Sequence, residues 1–445
     1  MLVVFFYFCR SINLTLYITM NETGKVRKWR KAFDSIRKFI SRHIIITFML
    51  LMVLEITIGL VHYTGWTYMP DLCLYVGSLL FFYFGLSWLI KRYSDRLTRL
   101  LDIKFINNIK VLNVLSYIVL GCIVIFMIYH LIFLGHIPVW TAYKSLDYYG
   151  IAGIRQSITE HHNAFIHYTS SMILKAVMPF LLLFFYIRKK WLFAVMLPIG
   201  IFYDLAMMQK AFIVTLLVPL IVYLFIKRKY LLSGVFAVLA LAGVMLLIIN
   251  ASPSLRASEE EIKEYMATHR RAYVPQKTNV SFTETMTASS GAVFDRVMFQ
   301  TGRDVGRWFT LIPDKLPYAK GCGYRLLAPI LGCSASDYEY EHVIWDNLYI
   351  VEYNEGLRGT VTSAHFMYDY SNFGRPGLVL AGFVLACVFV VLNLVFGKHR
   401  KWLVSLNILY ILWLTNVSLY SSLLSGGWIL TILLFWLFRA ALENE

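Results

Sequence analysis

The feature that most constrains this chain is a series of apolar runs, each 16 to 23 residues long, that repeats along its length. A helix needs about 20 mostly apolar residues to cross a membrane. A water-soluble fold could not bury so many such segments. The sequence therefore predicts an all-α polytopic membrane protein with ten transmembrane helices. The predicted spans are 44–63, 72–90, 112–134, 169–187, 191–207, 211–226, 230–249, 376–396, 402–419 and 421–438.

The start of the chain leaves two interpretations open. Residues 2–20 are apolar, but Arg10 and Asn13 interrupt them. They form either an eleventh span or an upstream extension, 1–19, before a natural start at Met20. The segment that follows Met20 is strongly basic and predicts a cytoplasmic helix.

Composition and charge placement exclude several other classes of protein. Hydrophobic residues make up 58% of the chain and charged residues 15%, against about 45–50% and about 25% in globular proteins. That excess of apolar surface excludes disordered chains and soluble enzymes. The net charge of +16 does not indicate nucleic-acid binding, because 24 of the 42 Lys and Arg lie in short segments beside the apolar runs. Such clusters mark cytoplasmic loops, and their alternation predicts that both termini face the cytoplasm.

The longest polar segment, 250–362, is expected to be a folded extracytoplasmic subdomain. It contains 12 basic and 14 acidic residues, and 257–272 and 291–311 have helical patterns. Four regions are expected. They are an N-terminal segment (1–43), a seven-span bundle (44–249) that includes the outer loop 135–168, the subdomain (250–362), and a region of three C-terminal spans (363–445). Cys322 and Cys333 lie in the subdomain. A disulfide is plausible there in an oxidising compartment, although two free thiols also fit the sequence.

Ionisable residues at membrane depth are costly and are therefore candidates for function. They are Glu55, Lys175, Asp204 and Lys210. Lys210 lies at an outer turn, either as a lysine that snorkels to the interface or as a cation aimed into an outward-facing cavity. Asp204 could pair with it.

The first outer loop adds Arg155, which is expected near the membrane surface and could contact a lipid headgroup or phosphate. His161 and His162 follow it. Because adjacent residues cannot share one helix face, no metal site is predicted from them.

Three arginines, Arg296, Arg303 and Arg307, fall in the segment DRVMFQTGRDVGRW. Spacings of seven and four place them near one face of a helix. Guanidinium groups bind phosphate oxygens bidentately, so such a row suits a diphosphate. The alternative is that these arginines form ion pairs with Asp295, Asp304 or other acidic residues of the loop. Further on, His365 lies where the chain re-enters the membrane, and histidine is the usual general base near neutral pH.

Four short segments carry a resemblance to a known family. They are QKA at 209–211, GRDVGRW at 302–308, GCGYR at 321–325 and SAHFMYDYSNFGRPG at 363–377. With the predicted topology, they resemble the bacterial O-antigen and polysaccharide repeat-unit polymerases of the Wzy type, which are related to the O-antigen ligases.

The resemblance implies an inverting, metal-independent glycosyl transfer at the periplasmic face of the inner membrane. Donor and acceptor would be oligosaccharides on undecaprenyl diphosphate, with no cofactor and with a chain-length regulator as partner. Arg155, Lys210, Arg303 and His365 come from four separate segments that all map to the predicted outer face. We therefore expect catalytic roles for His365 and Arg303, and binding of the lipid diphosphate by Lys210, Arg155, Arg296 and Arg307.

Two departures favour a polymerase over a ligase. Phe366 follows His365, where ligases tend to have Asn, and Lys210 stands where relatives often have Arg. A ligase-type transferase, a flippase or transporter, and a non-catalytic assembly partner remain alternatives. The chain contains no Walker-type GxxxxGK[ST] motif, which argues against ATP-driven transport.

Overall fold

The computed structural model divides into two units, Met1–Phe48 and Met49–Glu445. Only residues 42–48 of the first unit are described. The described residues are 42–101, 106, 108–159, 163–208, 210–253, 257–269, 291, 294–354, 356–357, 359–397 and 399–442. The first 41 residues, and with them the choice between an eleventh span and an extension, lie outside this set.

The described chain is α-helical, and no β-strand occurs within these ranges. In chain order its helices are α1 (Ile44–Thr64), α2 (Met69–Leu101), α3 (Ile109–Leu134), α4 (Pro138–Lys144), α5 (Tyr148–Thr159), α6 (Ala164–Met172), α7 (Met178–Arg188), α8 (Lys190–Ala206), α9 (Lys210–Ile226), α10 (Tyr230–Ala251), α11 (Glu259–Thr268), α12 (Thr301–Leu311), α13 (Tyr340–Leu348), α14 (Ile350–Asn354), α15 (His365–Phe373), α16 (Arg375–Phe396), α17 (Arg400–Trp413), α18 (Leu419–Leu423) and α19 (Trp428–Leu442).

Within the part of the chain that the structure describes, seven helical segments are long and apolar enough to cross a membrane. They are Ile44–Thr64, Met69–Arg92, Ile109–Lys144, Ala164–Arg188, Tyr230–Ala251, Arg375–Phe396 and Leu419–Leu442. The other three predicted spans correspond to the shorter helices α8 and α9, of 17 residues each, and α17, of 14 residues. The all-α membrane class therefore holds, and the count of ten spans stays a prediction.

Helix α17 ends earlier than the predicted span 402–419. Its last residue is Trp413, and a turn leads from there to α18. The carbonyl of Leu414 accepts a hydrogen bond of 2.8 Å from the backbone N–H of His365. This hydrogen bond ties the end of α17 to the first residue of α15.

Helices α3 and α10 expose rows of large apolar side chains. On α3, Ile118, Ile125 and Ile132 are 56%, 69% and 72% exposed, at spacings of seven residues that keep them on one face. Contiguous apolar surface of this kind is rare on soluble monomers and is the normal surface toward lipid. The span Ala164–Arg188, in contrast, is 78% buried over its apolar window, which places it inside the bundle.

Helices α2 and α16 pack side by side in parallel. Arg375 Nε donates to Asp71 Oδ1 at 2.7 Å where both helices begin. Farther along, Asn393 Nδ2, near the end of α16, donates at 3.1 Å to the hydroxyl of Tyr83, near the middle of α2. Between these contacts, a Cβ on Gly382 would lie 2.8 Å from the backbone nitrogen of Leu79. Close approach of two helices at a small residue is the common mode of packing in membranes.

Helix α12 crosses α1 through glycines. A Cβ on Gly302 would lie 2.3 Å from both Ile56 O and Leu60 N, and one on Gly306 would lie 2.8 Å from the side chains of Tyr63 and Thr64. The motif GRDVGRW thus packs a segment of the predicted outer loop against a membrane helix. The predicted helices 257–272 and 291–311 appear as α11 and as α12 preceded by a π-helical turn, Arg296–Gln300.

Candidate functional site

The first turn of α15 holds His365 in the interior. Its side chain is 1% exposed, and Nε2 shares a hydrogen bond of 2.8 Å with the hydroxyl of Tyr75 on α2. Nδ1 is buried without a hydrogen-bond partner in the described structure. Burial lowers the pKa of His365 to about 3, because the imidazolium would lose its hydration. The imidazole is therefore neutral at physiological pH.

One turn after His365, the same helix face carries Asp369, which is also 1% exposed. The hydroxyl of Tyr324 donates to Asp369 Oδ1, and Tyr420 forms a second hydrogen bond to the carboxylate. Burial raises the pKa of Asp369 to about 7, although the two phenol donors act in the opposite direction. The phenol rings of Tyr324 and Tyr420 lie 5.3 Å apart and are half-buried, so they separate the carboxylate from the surface.

The segment GCGYR holds Tyr324 in this position. The backbone N–H groups of Gly321 and Gly323 both donate to Asn372 Oδ1, each at 3.1 Å. A Cβ on Gly323 would lie 2.9 Å from Asn372, and Gly321 has φ +97°, a conformation that favours glycine. Both glycines therefore allow this loop to pack closely against α15.

Sequence reasoning missed Asp369 because its partners come from segments 45 and 51 residues away. The residue lies inside the quoted segment SAHFMYDYSNFGRPG, four positions after His365. Because residues four apart share a helix face, this spacing could have predicted a second titratable group beside His365.

Helix α12 carries two of the three predicted arginines, and both form ion pairs. Arg303 Nη2 lies 2.8 Å from Asp295 Oδ2, and Arg307 Nη1 lies 2.9 Å from Asp304 Oδ1. For Arg303 and Arg307, the structure thus shows the ion pairs of the alternative interpretation. The first pair is the more open, since the side chains of Arg303 and Asp295 are 34% and 53% exposed.

The same helix packs against α15. Trp308 Nε1 donates to Val361 O at 3.2 Å, and the Trp308 ring lies 5.2 Å from that of Tyr368. Phe309 contacts Tyr370 at 4.8 Å between ring centroids. The structure thus brings together the helix of Arg303 and the helix of His365 and Asp369.

The remaining predicted residues have a different placement. Arg155 is exposed on α5, whose Ile151 forms a buried cluster with Met208, just before α9. Lys210 is the first residue of α9, but its side chain and that of Arg296 lie outside the described part, as do His161 and His162. The π-helical turn between Arg296 and Arg303 also means that their spacing of seven is not two α-helical turns.

Two of the other intramembrane residues have defined surroundings. Lys175 lies in a second π-helical turn, Ile173–Val177, with its ammonium 5.5 Å from the ring centroid of Trp413. Asp204 is fully buried, and its carboxylate has no hydrogen-bond partner within the described ranges.

These helices define a multi-pass all-α membrane protein with a buried histidine and carboxylate on one short helix. The chain matches no protein-family model, no curated protein and no solved structure.

Proposed function

We propose that this protein is a membrane glycosyltransferase that polymerises oligosaccharide units carried on undecaprenyl diphosphate at the periplasmic face of the bacterial inner membrane. The observation that carries the proposal is the meeting of α12 and α15. One helix presents a half-exposed arginine, and the other holds a carboxylate behind two tyrosines. Leaving-group stabilisation and proton removal are the two tasks of a metal-independent glycosyl transfer.

Arg303 is suited to the diphosphate. Its ion pair with Asp295 is exposed, and exposed pairs contribute only about 0–1 kcal/mol. A diphosphate carries more charge than one carboxylate and accepts bidentate hydrogen bonds, so it can displace Asp295. Arg307, whose partner Asp304 is buried, keeps a structural role in this scheme.

Proton removal has a route through the tyrosines. The acceptor hydroxyl gives its proton to the phenol oxygen of Tyr420 or Tyr324 while that phenol gives its own proton to Asp369. The acceptor oxygen forms the new bond to the anomeric carbon, and the diphosphate leaves with the electron pair of the broken bond. A carboxyl with a pKa of about 7 holds and releases such a proton near neutral pH. His365, the predicted base, stays a candidate through its hydrogen bond to Tyr75.

A deletion strain tests the activity. Surface polysaccharide separated on a gel should collapse from a ladder to core plus one repeat unit. Loss of every repeat from the core, with lipid-linked polymer accumulating, would indicate a ligase. Single units trapped on the inner face would indicate a flippase. Either result would contradict the proposal.

Point variants then test the site in the complemented strain. Arg303→Ala should abolish long polymer at normal protein level, since loss of one leaving-group cation costs about 100- to 1000-fold in rate. Arg303→Lys should restore it only in part, because a point charge lacks the bidentate fork. The control is Lys263→Ala, an exposed residue of α11. Full ladders from Arg303→Ala would remove Arg303 from the site.

A further inference from the structure

The loop between Cys322 and Cys333 has an unusual surface. A disulfide joins its ends, with the Cα atoms 5.9 Å apart. Four large apolar side chains between them point outward, and their exposed fractions are 79%, 43%, 79% and 54% for Leu326, Leu327, Ile330 and Leu331. Soluble surfaces rarely carry four such residues together without a partner.

Local structure gives this loop an apolar face. Backbone hydrogen bonds from Ala328 to Tyr324 O and from Leu331 to Leu327 O form helical turns. The second of these turns places Leu327 and Leu331 on one side, while Ala328, 1% exposed, packs inward. The exposed side chains are thus presented by a closed and internally bonded loop.

The loop rests on the ends of three membrane-spanning segments. Gly321 and Gly323 bind Asn372, three residues before α16 begins at Arg375. Tyr324 contacts Tyr420, the second residue of the span Leu419–Leu442. Arg325 interacts with Tyr168, the fifth residue of the span Ala164–Arg188. These contacts fix the height of the loop at the membrane boundary.

Charge placement fits a lipid surface. Lys320 is exposed beside the loop, and the side chain of Arg325, within it, stays 73% exposed while it pairs with Glu339 at 2.9 Å. An apolar tip flanked by cations is the pattern of an interfacial anchor, because the apolar groups enter the acyl region while the cations meet phosphates.

We propose that the disulfide-closed loop Cys322–Cys333 inserts Leu326, Leu327, Ile330 and Leu331 into the leaflet at the Arg375 end of α16. Because the loop contacts the ends of three membrane-spanning segments, the partner of its apolar face is the bilayer. Because Tyr324 belongs to the same loop, the leaflet contact also holds the tyrosine that covers Asp369. The inference does not depend on the proposed enzymatic activity.

Photochemical crosslinking tests it on the full chain reconstituted in vesicles of phosphatidylethanolamine and phosphatidylglycerol. Ile330, and in a second variant Leu326, is replaced by the photoreactive p-benzoylphenylalanine, and intact mass spectrometry reads the adducts. Ile125, on the exposed face of α3, is the positive control, and Lys263 on α11 is the negative control. Both test sites are exposed, so the replacement disturbs no packing.

We expect lipid adducts at both loop positions, at a yield near that of Ile125 and at least about fivefold above that of Lys263. Yields equal to that of Lys263 would overturn the inference. Protein–protein crosslinks in place of lipid adducts would also overturn it, since they would make the face a docking site for a second chain.

Discussion

At the scale of single residues, two buried titratable groups lie one turn apart on α15 and respond oppositely to the same environment. Burial disfavours the charged form of each, so it lowers the pKa of His365 to about 3 and raises that of Asp369 to about 7. Between pH 5 and pH 8, Asp369 is therefore the one of the pair that changes its protonation state.

The pH dependence of turnover should identify the proton acceptor. Because Asp369 must be ionised to accept a proton, the rate should fall about tenfold per unit as pH drops below 7. Tyr324→Phe removes a donor that lowers the pKa of Asp369, so the midpoint should move to higher pH. His365→Gln should leave the midpoint unchanged. A midpoint that moves in His365→Gln but not in Tyr324→Phe would assign the step to the histidine.

The stability of the fold should report the same carboxyl without any substrate. A group with a raised pKa in the folded state contributes most below its unfolded pKa, and that contribution is lost as pH rises through about 7. Asp369→Asn should thus gain stability over wild type as pH rises, with a larger increase in melting temperature at pH 8 than at pH 5. The difference corresponds to on the order of 2–4 kcal/mol. Asp337→Asn, at an exposed site, is the control. A gain at pH 5 alone would contradict the sign.

At the scale of elements, the glycine crossing of α12 and α1 should be intolerant of a methyl group. Backbone atoms of α1 lie 2.3 Å from a Cβ on Gly302, and backbone cannot move aside as a flexible side chain does. Gly302→Ala should therefore lower stability by about 1–3 kcal/mol. Gly121→Ala on α3, where nothing lies within 4 Å, should be neutral or slightly stabilising. Equal melting temperatures for the two variants in detergent would show that the helices do not cross here.

The disulfide should stabilise the loop that carries Tyr324. The sequence was compatible with either a disulfide or two free thiols at Cys322 and Cys333. In the structure the two cysteines form a disulfide. The paired change Cys322→Ser and Cys333→Ser should cost the loop about 2–3 kcal/mol and increase hydrogen exchange in residues 319–333. Mass spectrometry of a non-reduced digest checks the bond itself. Free alkylation of both thiols in the wild type would refute it.

Patterning of apolar runs predicted most of the elements, because an apolar run of about 20 residues has few folded states other than a membrane helix. Three features could not be predicted from this patterning. Residue spacing carries no sign of a π-helical turn. The prediction that Arg296 and Arg303 share one face assumed α-helical geometry between them, and the π-helical turn Arg296–Gln300 departs from it. The early end of α17 comes with a hydrogen bond from the distant amide of His365 to Leu414 O. The Asp369 cluster depends on Tyr324 and Tyr420, which only tertiary folding brings to α15.

At the scale of the whole molecule, the second unit presents apolar side chains on the outside of α3 and α10 and conceals polar groups within. Ile125 and Leu241 are 69% and 64% exposed, whereas Asp204, His365 and Asp369 are at most 1% exposed. This inversion of the soluble pattern is what a lipid solvent selects. It supports the membrane class independently of hydropathy along the sequence.

The orientation of the molecule in the membrane follows from the charged turns. Lys189 and the first residue of α8, Lys190, lie at the junction of α7 and α8, and residues 227–229 separate α9 from α10. The loop with the disulfide lies at the opposite ends of the spans. Since cytoplasmic loops retain Lys and Arg, those turns are expected inside and the disulfide outside. Alkaline phosphatase fused after about residue 280 should therefore be active, and fusions after residues 228 and 445 should be inactive. Activity at 445, or its absence at 280, would reverse the topology and place the α12–α15 site on the cytoplasmic face.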